Sequence, residues 1–188
     1  MLDCGERKLH TKVNHFRNWA NTNYPEITEK NDNGEWCFGA EFDEMISEAV
    51  SFIEENFAEK ATQQIIDDLL YAIARDNECS IIMAELERHS EWFSLLCRCS
   101  LNTAYINAQW QFVEHLSNYQ GDDNLRELVF EFLNTGDEYT ERLALKTLAD
   151  IYPEEAEKYA IDCWNRKKYD YDEYQKIMVL HVLYYFRS

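Results

Sequence analysis

Apolar residues recur along this chain three and four positions apart, the spacing of one face of an α-helix. Leu9, Val13, Phe16 and Ala20 follow it over residues 6–21. A polar stretch over 21–39 interrupts the pattern with Pro25 and Gly34. Trp36 and Phe38 are the residues within it suited to hold it against a core. Phe42, Met45, Ile46, Ala49, Val50 and Ile53 then form a second stripe. Ile65, Ile66, Leu69, Leu70 and Ile73 form a third, which stops before Asp76-Asn77. A shorter helix is expected over 79–86, and Ser90 is a candidate N-cap for another over 92–99.

The second half is punctuated more sharply. Asn102 or Thr103 can open a helix that runs to about Tyr119 and is closed by Gly121. Asp122 or Asp123 can cap a helix over 125–133, ended by Asn134, Thr135 and Gly136, and Asp137 opens another to Ile151. Pro153 suits the first turn of the next helix, where its missing N–H has no partner to lose, and Glu154 and Glu155 suit that positive end. Asp170 and Glu173 have the spacing of a capping pair for a last helix to Phe186.

Three of these helices share a register. Trp110, Val113 and Leu116 recur thirty-five residues on as Leu145, Leu148 and Ile151, and again as Leu180, Leu183 and Phe186. Shorter stripes, Leu125-Leu128-Val129-Phe132 and Ala156-Tyr159-Ala160-Cys163, lie between them. A helix pair that cannot bury its apolar face alone must stack on the next pair. The expected architecture is therefore all-α, a right-handed α-solenoid of antiparallel helix pairs in a single domain, 1–188. An N-terminal helix and loop (1–40) and an acidic helical segment (41–101) precede the repeats (102–188). Five glycines and two prolines supply too few tight turns for an all-β chain.

The segment from Glu141 to Ile151, and the run from Tyr152 to Ala160 after it, resembles a HEAT-type repeat helix leading into the next repeat. Ala144 and Ala149 stand where small residues let such helices approach closely. The resemblance extends over residues 60–188. Residues 1–40 fit no repeat, and the buried Asp and Arg ladder of those repeats has no fixed place here. A small acidic HEAT-like chain with the run from Leu69 to Glu78, Leu-Leu-Tyr-Ala-Ile-Ala-Arg-Asp-Asn-Glu, is similar to bacterial immunity proteins of toxin–immunity pairs. Those of contact-dependent growth inhibition systems, some paired with EndoU-type nuclease toxins, are the group it resembles. The resemblance implies a cytoplasmic monomer that binds an RNA-cleaving toxin domain one to one and blocks its active site without turnover.

Charge narrows the partners. The formal net charge is −18, from 36 acidic and 18 basic residues, and contact with a nucleic-acid backbone needs the opposite sign. Residues 41–91 hold fourteen acidic and three basic residues. Such a surface attracts a basic protein, although acidity for solubility alone stands beside that reading.

Motifs for chemistry are missing. There is no HExxH, no paired CxxC, no Gly-rich phosphate loop and no G-x-S-x-G. His10 and His15 are five apart, a poor fit for one helical face, and His115 and His181 sit beside apolar stripes as packed residues do. The adjacent carboxylates Asp67-Asp68, Asp122-Asp123 and Glu154-Glu155 point about 100° apart on a helix and cannot converge on one atom. Cys4, Cys37, Cys79, Cys97, Cys99 and Cys163 are scattered and read as reduced thiols. No cofactor, metal or enzymatic activity is expected. The N-terminus has no apolar signal core, and the apolar run over 177–186 is too short to span a bilayer.

The residues expected to contact the partner are the carboxylates of the dense segment: Glu41, Asp43, Glu44, Glu48, Glu54, Glu55, Asp67, Asp68, Asp76 and Glu78. They would take the place of phosphates in the basic cleft of a nuclease toxin. Tyr169, Tyr171, Tyr184 and Tyr185 are candidate anchors, or else seal the end of the stack. The alternative is a HEAT-like scaffold or adaptor for an endogenous protein. A HEAT-like DNA glycosylase is disfavoured by the charge.

Overall fold

The computed structural model describes residues 3–27, 36, 39–119, 121–166, 168–169 and 172–185, and every regular element among them is helical. By its internal contacts the chain forms two compact units, Met1–Gln111 and Phe112–Ser188.

The first unit is built on α1 (Cys4–Asn23), α2 (Ala40–Glu55) and α3 (Gln63–Arg75), followed by α4 (Ile81–Leu86), α5 (Ser90–Ser100) and most of α6 (Ile106–His115). The N-terminal helix is integral to it, packing on both α2 and α3. Its start is fixed by a capping box: Asp3 accepts from the Glu6 N–H at 2.9 Å, and Glu6 accepts from the Asp3 N–H at 2.8 Å. Leu9, Val13, Phe16 and Ala20 are buried as their spacing predicts. Phe16 meets Trp36 edge-on at 5.4 Å and Phe42 at 6.1 Å, so Trp36 does join the core; Phe38 and Asp170 lie outside the described residues. A 3₁₀ turn, Ala58–Lys60, links α2 to α3, whose N-cap is Thr62.

Between α3 and α4 the turn is held by Asp76, whose buried carboxylate accepts from the Ile82 N–H at 2.6 Å. This delays the helix expected from 79 until Ile81, after Ser80 in the left-handed region. Ser90 is the first residue of α5 and makes no capping bond to it, contrary to its expected role. The helix expected from 102 or 103 starts later. The Gln109 amide donates to the carbonyls of Ser100 and Thr103, which satisfies the turn between α5 and α6 without helix.

The second unit runs from the end of α6 through a 3₁₀ turn, Leu116–Asn118, to α7 (Asp123–Arg126), α8 (Val129–Phe132), α9 (Glu138–Ile151), α10 (Pro153–Asn165) and α11 (Glu173–Tyr185). The single helix expected over 125–133 is two short ones. Leu128 and Phe130 bond three residues back rather than four, a tightening to 3₁₀ geometry, yet Leu125, Leu128, Val129 and Phe132 all stay buried. Asp137 caps α9 through the Thr140 N–H at 2.8 Å, and Pro153 opens α10 as its sequence predicts. Helices α9, α10 and α11 pack on one another.

On α9 itself Glu141 is fully buried. It accepts from the Gly136 N–H at 2.8 Å and pairs with Lys168 and, at 3.7 Å, Arg166. Burial and that carboxylate push the half-buried Tyr169 hydroxyl upward. Of the thirty-five-residue register, Val113, Leu116, Leu145, Leu148 and Ile151 are buried, Trp110 is half-buried, and Phe186 lies outside the described residues. On α11 the inward residues are Gln175, Val179 and Val182, and Leu180 points to solvent.

Candidate protein-binding surface

The ten carboxylates of the acidic segment separate into two sets. Four are held by the first unit itself. Asp68 is fully buried between α1 and α3, 2.7 Å from His10 Nδ1 and 3.3 Å from the Gln64 amide that donates to it; burial raises its pKa, which His10 partly offsets. Asp76 is the buried cap of the α3–α4 turn. Glu48 is buried and 2.5 Å from Lys8 Nζ. Asp67 accepts from the Tyr105 hydroxyl at 3.3 Å and lies 3.8 Å from Arg17. Asp68 and Asp76 are thus corrected from partner contacts to internal ties, because each is inaccessible and already hydrogen-bonded.

The other set faces water. Asp43, Glu44, Glu54, Glu55 and Glu78 are exposed, and Glu41 is half-buried. Glu44 accepts from Lys12 at 2.7 Å, and that ammonium holds its carboxyl below the usual range. Glu54 and Glu55 occupy the last turn of α2, which has no basic residue. Carboxylates there oppose the helix dipole, although Glu55 also lies in the field of Lys8.

Beside them stands a residue that the sequence did not point to. Phe57, between α2 and the 3₁₀ turn, is 63% exposed, with exposed Glu54, Glu55 and Glu59 flanking it in sequence. Its stem is fixed: the Trp92 indole donates to the Asn56 carbonyl at 2.9 Å, and the Asn56 amide donates to the Phe52 carbonyl at 2.9 Å. Lys60 Nζ lies 5.4 Å from the centre of the Phe57 ring. A cleft of about 240 Å³ opens here, lined by Phe57, Phe52, Trp92, Glu55 and Asp3 among others. An aromatic ring on a fixed stem within a carboxylate rim suits a cationic protein surface. A single Phe in a polar linker gives no periodic signal, and only its break from the stripes of α2 and α3 could have marked it.

Among the described residues no three His, Cys, Asp or Glu side chains are placed to hold a metal ion. Both ring nitrogens of His10 are engaged, Nδ1 with Asp68 and Nε2 with the Asn14 amide at 2.8 Å. Cys4, Cys79, Cys97, Cys99 and Cys163 are thiols outside any disulfide, and burial raises Cys99.

The second unit carries a different surface. Tyr174, Ile177, Leu180 and Tyr184 of α11 are exposed, and a groove of about 430 Å³ runs between α9 and α11 over Leu143, Ala149, Met178 and Val182. Of the expected anchors, Tyr184 is exposed and Tyr169 half-buried, while Tyr171 and the side chain of Tyr185 lie outside the described residues. Comparison with known protein families, with curated proteins and with solved structures finds no match. No helix among the described residues is long and apolar enough to cross a membrane.

Proposed function

We propose that this chain is a protein-binding inhibitor of the immunity type, which neutralises a nuclease toxin by covering its basic cleft. The observation that supports it most directly is Phe57 on its fixed stem beside Glu54, Glu55 and Glu59. Carboxylates at the end of α2 are unfavourable for the helix, and a cationic partner gives them a use. Phosphate-binding clefts are positive, and an acidic surface speeds encounter with them and occupies the phosphate positions. In this reading the helices form a HEAT-like right-handed stack of antiparallel pairs, with α9 and α10, separated by Tyr152 alone, as one such pair. The complex is one to one, and the chain itself performs no catalysis.

Co-expression with the gene immediately upstream tests this. Rescue of growth from a toxic product, with a complex that co-purifies, is the expected result. Growth arrest unchanged by this chain, with no complex, would sink it. The exposed apolar side of α11 favours a second reading, an adaptor that holds an endogenous protein. In that case deleting the gene does not sensitise cells to a neighbouring toxin.

A further inference from the structure

The cleft beside Phe57 is walled on its inner side by Phe52 and Trp92, both buried, whose rings meet edge to face with centres 5.9 Å apart. The carboxylates of Asp3, Glu6 and Glu55 and the ammonium of Lys60 also line it. Glu6 is only 8% exposed. Its Oε2 accepts from the Asp3 N–H in the capping box, but among the described residues no donor reaches its Oε1. Asp3 likewise engages only Oδ1, and Glu55 accepts from no described group. A carboxylate oxygen drawn out of water calls for a donor. The local cations do not supply one. Lys8, whose charge acts on Glu55, is bound to Glu48 at 2.5 Å. The Lys60 ammonium stands 5.4 Å from the centre of the Phe57 ring and makes no ion pair among the described residues.

Size and shape narrow the occupant. Pockets for whole small molecules run from roughly 300 to 1,000 Å³. This cleft, at about 240 Å³, suits one inserted side chain. Three carboxylates require it to be cationic, and the aromatic walls favour a planar cation. A guanidinium stacks on a ring face and directs several N–H donors to carboxylates at once, which an ammonium does less well.

We infer that the cleft receives an arginine side chain of the protein partner, stacked on Phe57 in place of Lys60 and donating to Glu6 and Glu55. The inference rests on the reading that this chain binds a cationic protein. Titrating N-acetyl-argininamide into the full chain tests it, read at the Trp92 indole N–H in proton–nitrogen correlation spectra. That N–H is held by the Asn56 carbonyl, next to Phe57. A saturable shift is expected with a roughly millimolar dissociation constant, the scale of one charge-assisted pair and one ring contact. N-acetyl-citrullinamide, similar in size but uncharged, should give none. Glu6→Gln keeps an acceptor for the Asp3 N–H, and Glu55→Gln changes an exposed residue. Each should weaken the arginine probe at least about threefold with helical circular dichroism unchanged. No saturable shift at Trp92, equal shifts from the uncharged probe, or full binding by both folded variants would overturn it. No toxin enters the titration, so the two readings fail separately. A Trp92 shift without rescue of growth sinks the toxin reading alone, and rescue without a Trp92 shift sinks the arginine site alone.

Discussion

Burial pushes the Asp76 carboxyl up to about 6, and the N–H groups of Ile82 and Ile81 pull the other way without cancelling it. The unfolded carboxyl titrates near 3.9. The folded state therefore holds this proton more tightly. Its contribution is full below pH 4, declines as pH rises from about 4 to about 6, and is gone above that. The gap between the folded and unfolded values corresponds to about 3 kcal/mol across the window. Asp76→Asn keeps an acceptor for Ile82 without the charge. Urea denaturation from pH 4 to pH 8 should show the variant without this decline, so that its stability relative to the parent improves as pH rises. A difference between the two proteins that does not change with pH would refute the assignment. Asp68, also raised by burial, contributes to both and drops out of the comparison.

Phe57 belongs to the same scale with the opposite logic. Its side chain is mostly in water, so Phe57→Ala should leave the unfolding midpoint in place. If it anchors the toxin, affinity should fall by about thirtyfold, the loss of a central aromatic contact. A change in affinity of less than about threefold by titration calorimetry would remove it from the interface.

At the level of elements, what could be read from sequence divides by mechanism. Stripes of three or more apolar residues placed α1, α2, α3, α9 and α10, because burial of a 3.6-residue face dominates every local preference. Caps were legible where an Asp precedes the stripe, as at Asp122 and Asp137, and failed at Ser90. The slip on α11 has a clear cause. Ile177, Val179, Leu180, Val182 and Leu183 are apolar together, so periodicity cannot choose the inward side. The buried carboxylates were invisible for another reason: Asp67 and Asp68 are equivalent in a one-dimensional charge count, and only the position of His10 on α1 separates them.

The end of α2 gives a prediction of its own. Replacing Glu54 and Glu55 by Lys puts favourable charge on the last turn and should raise the unfolding midpoint by about 2 °C. The same double variant should slow toxin association at least tenfold, since the carboxylates steer encounter. Stability and binding moving in opposite directions distinguish a functional acidic patch from one kept for solubility, for which association would be unaffected.

For the whole molecule, the proposed toxin contact should respond to ionic strength. Attraction between an acidic surface and a basic cleft is long-range and screened, so raising salt from about 50 mM to about 500 mM shortens the Debye length from roughly 14 Å to roughly 4 Å and should reduce the association rate with toxin by an order of magnitude or more. Stopped-flow association at a series of salt concentrations checks this, and a rate that does not fall with salt would remove the acidic surface of the first unit from the encounter.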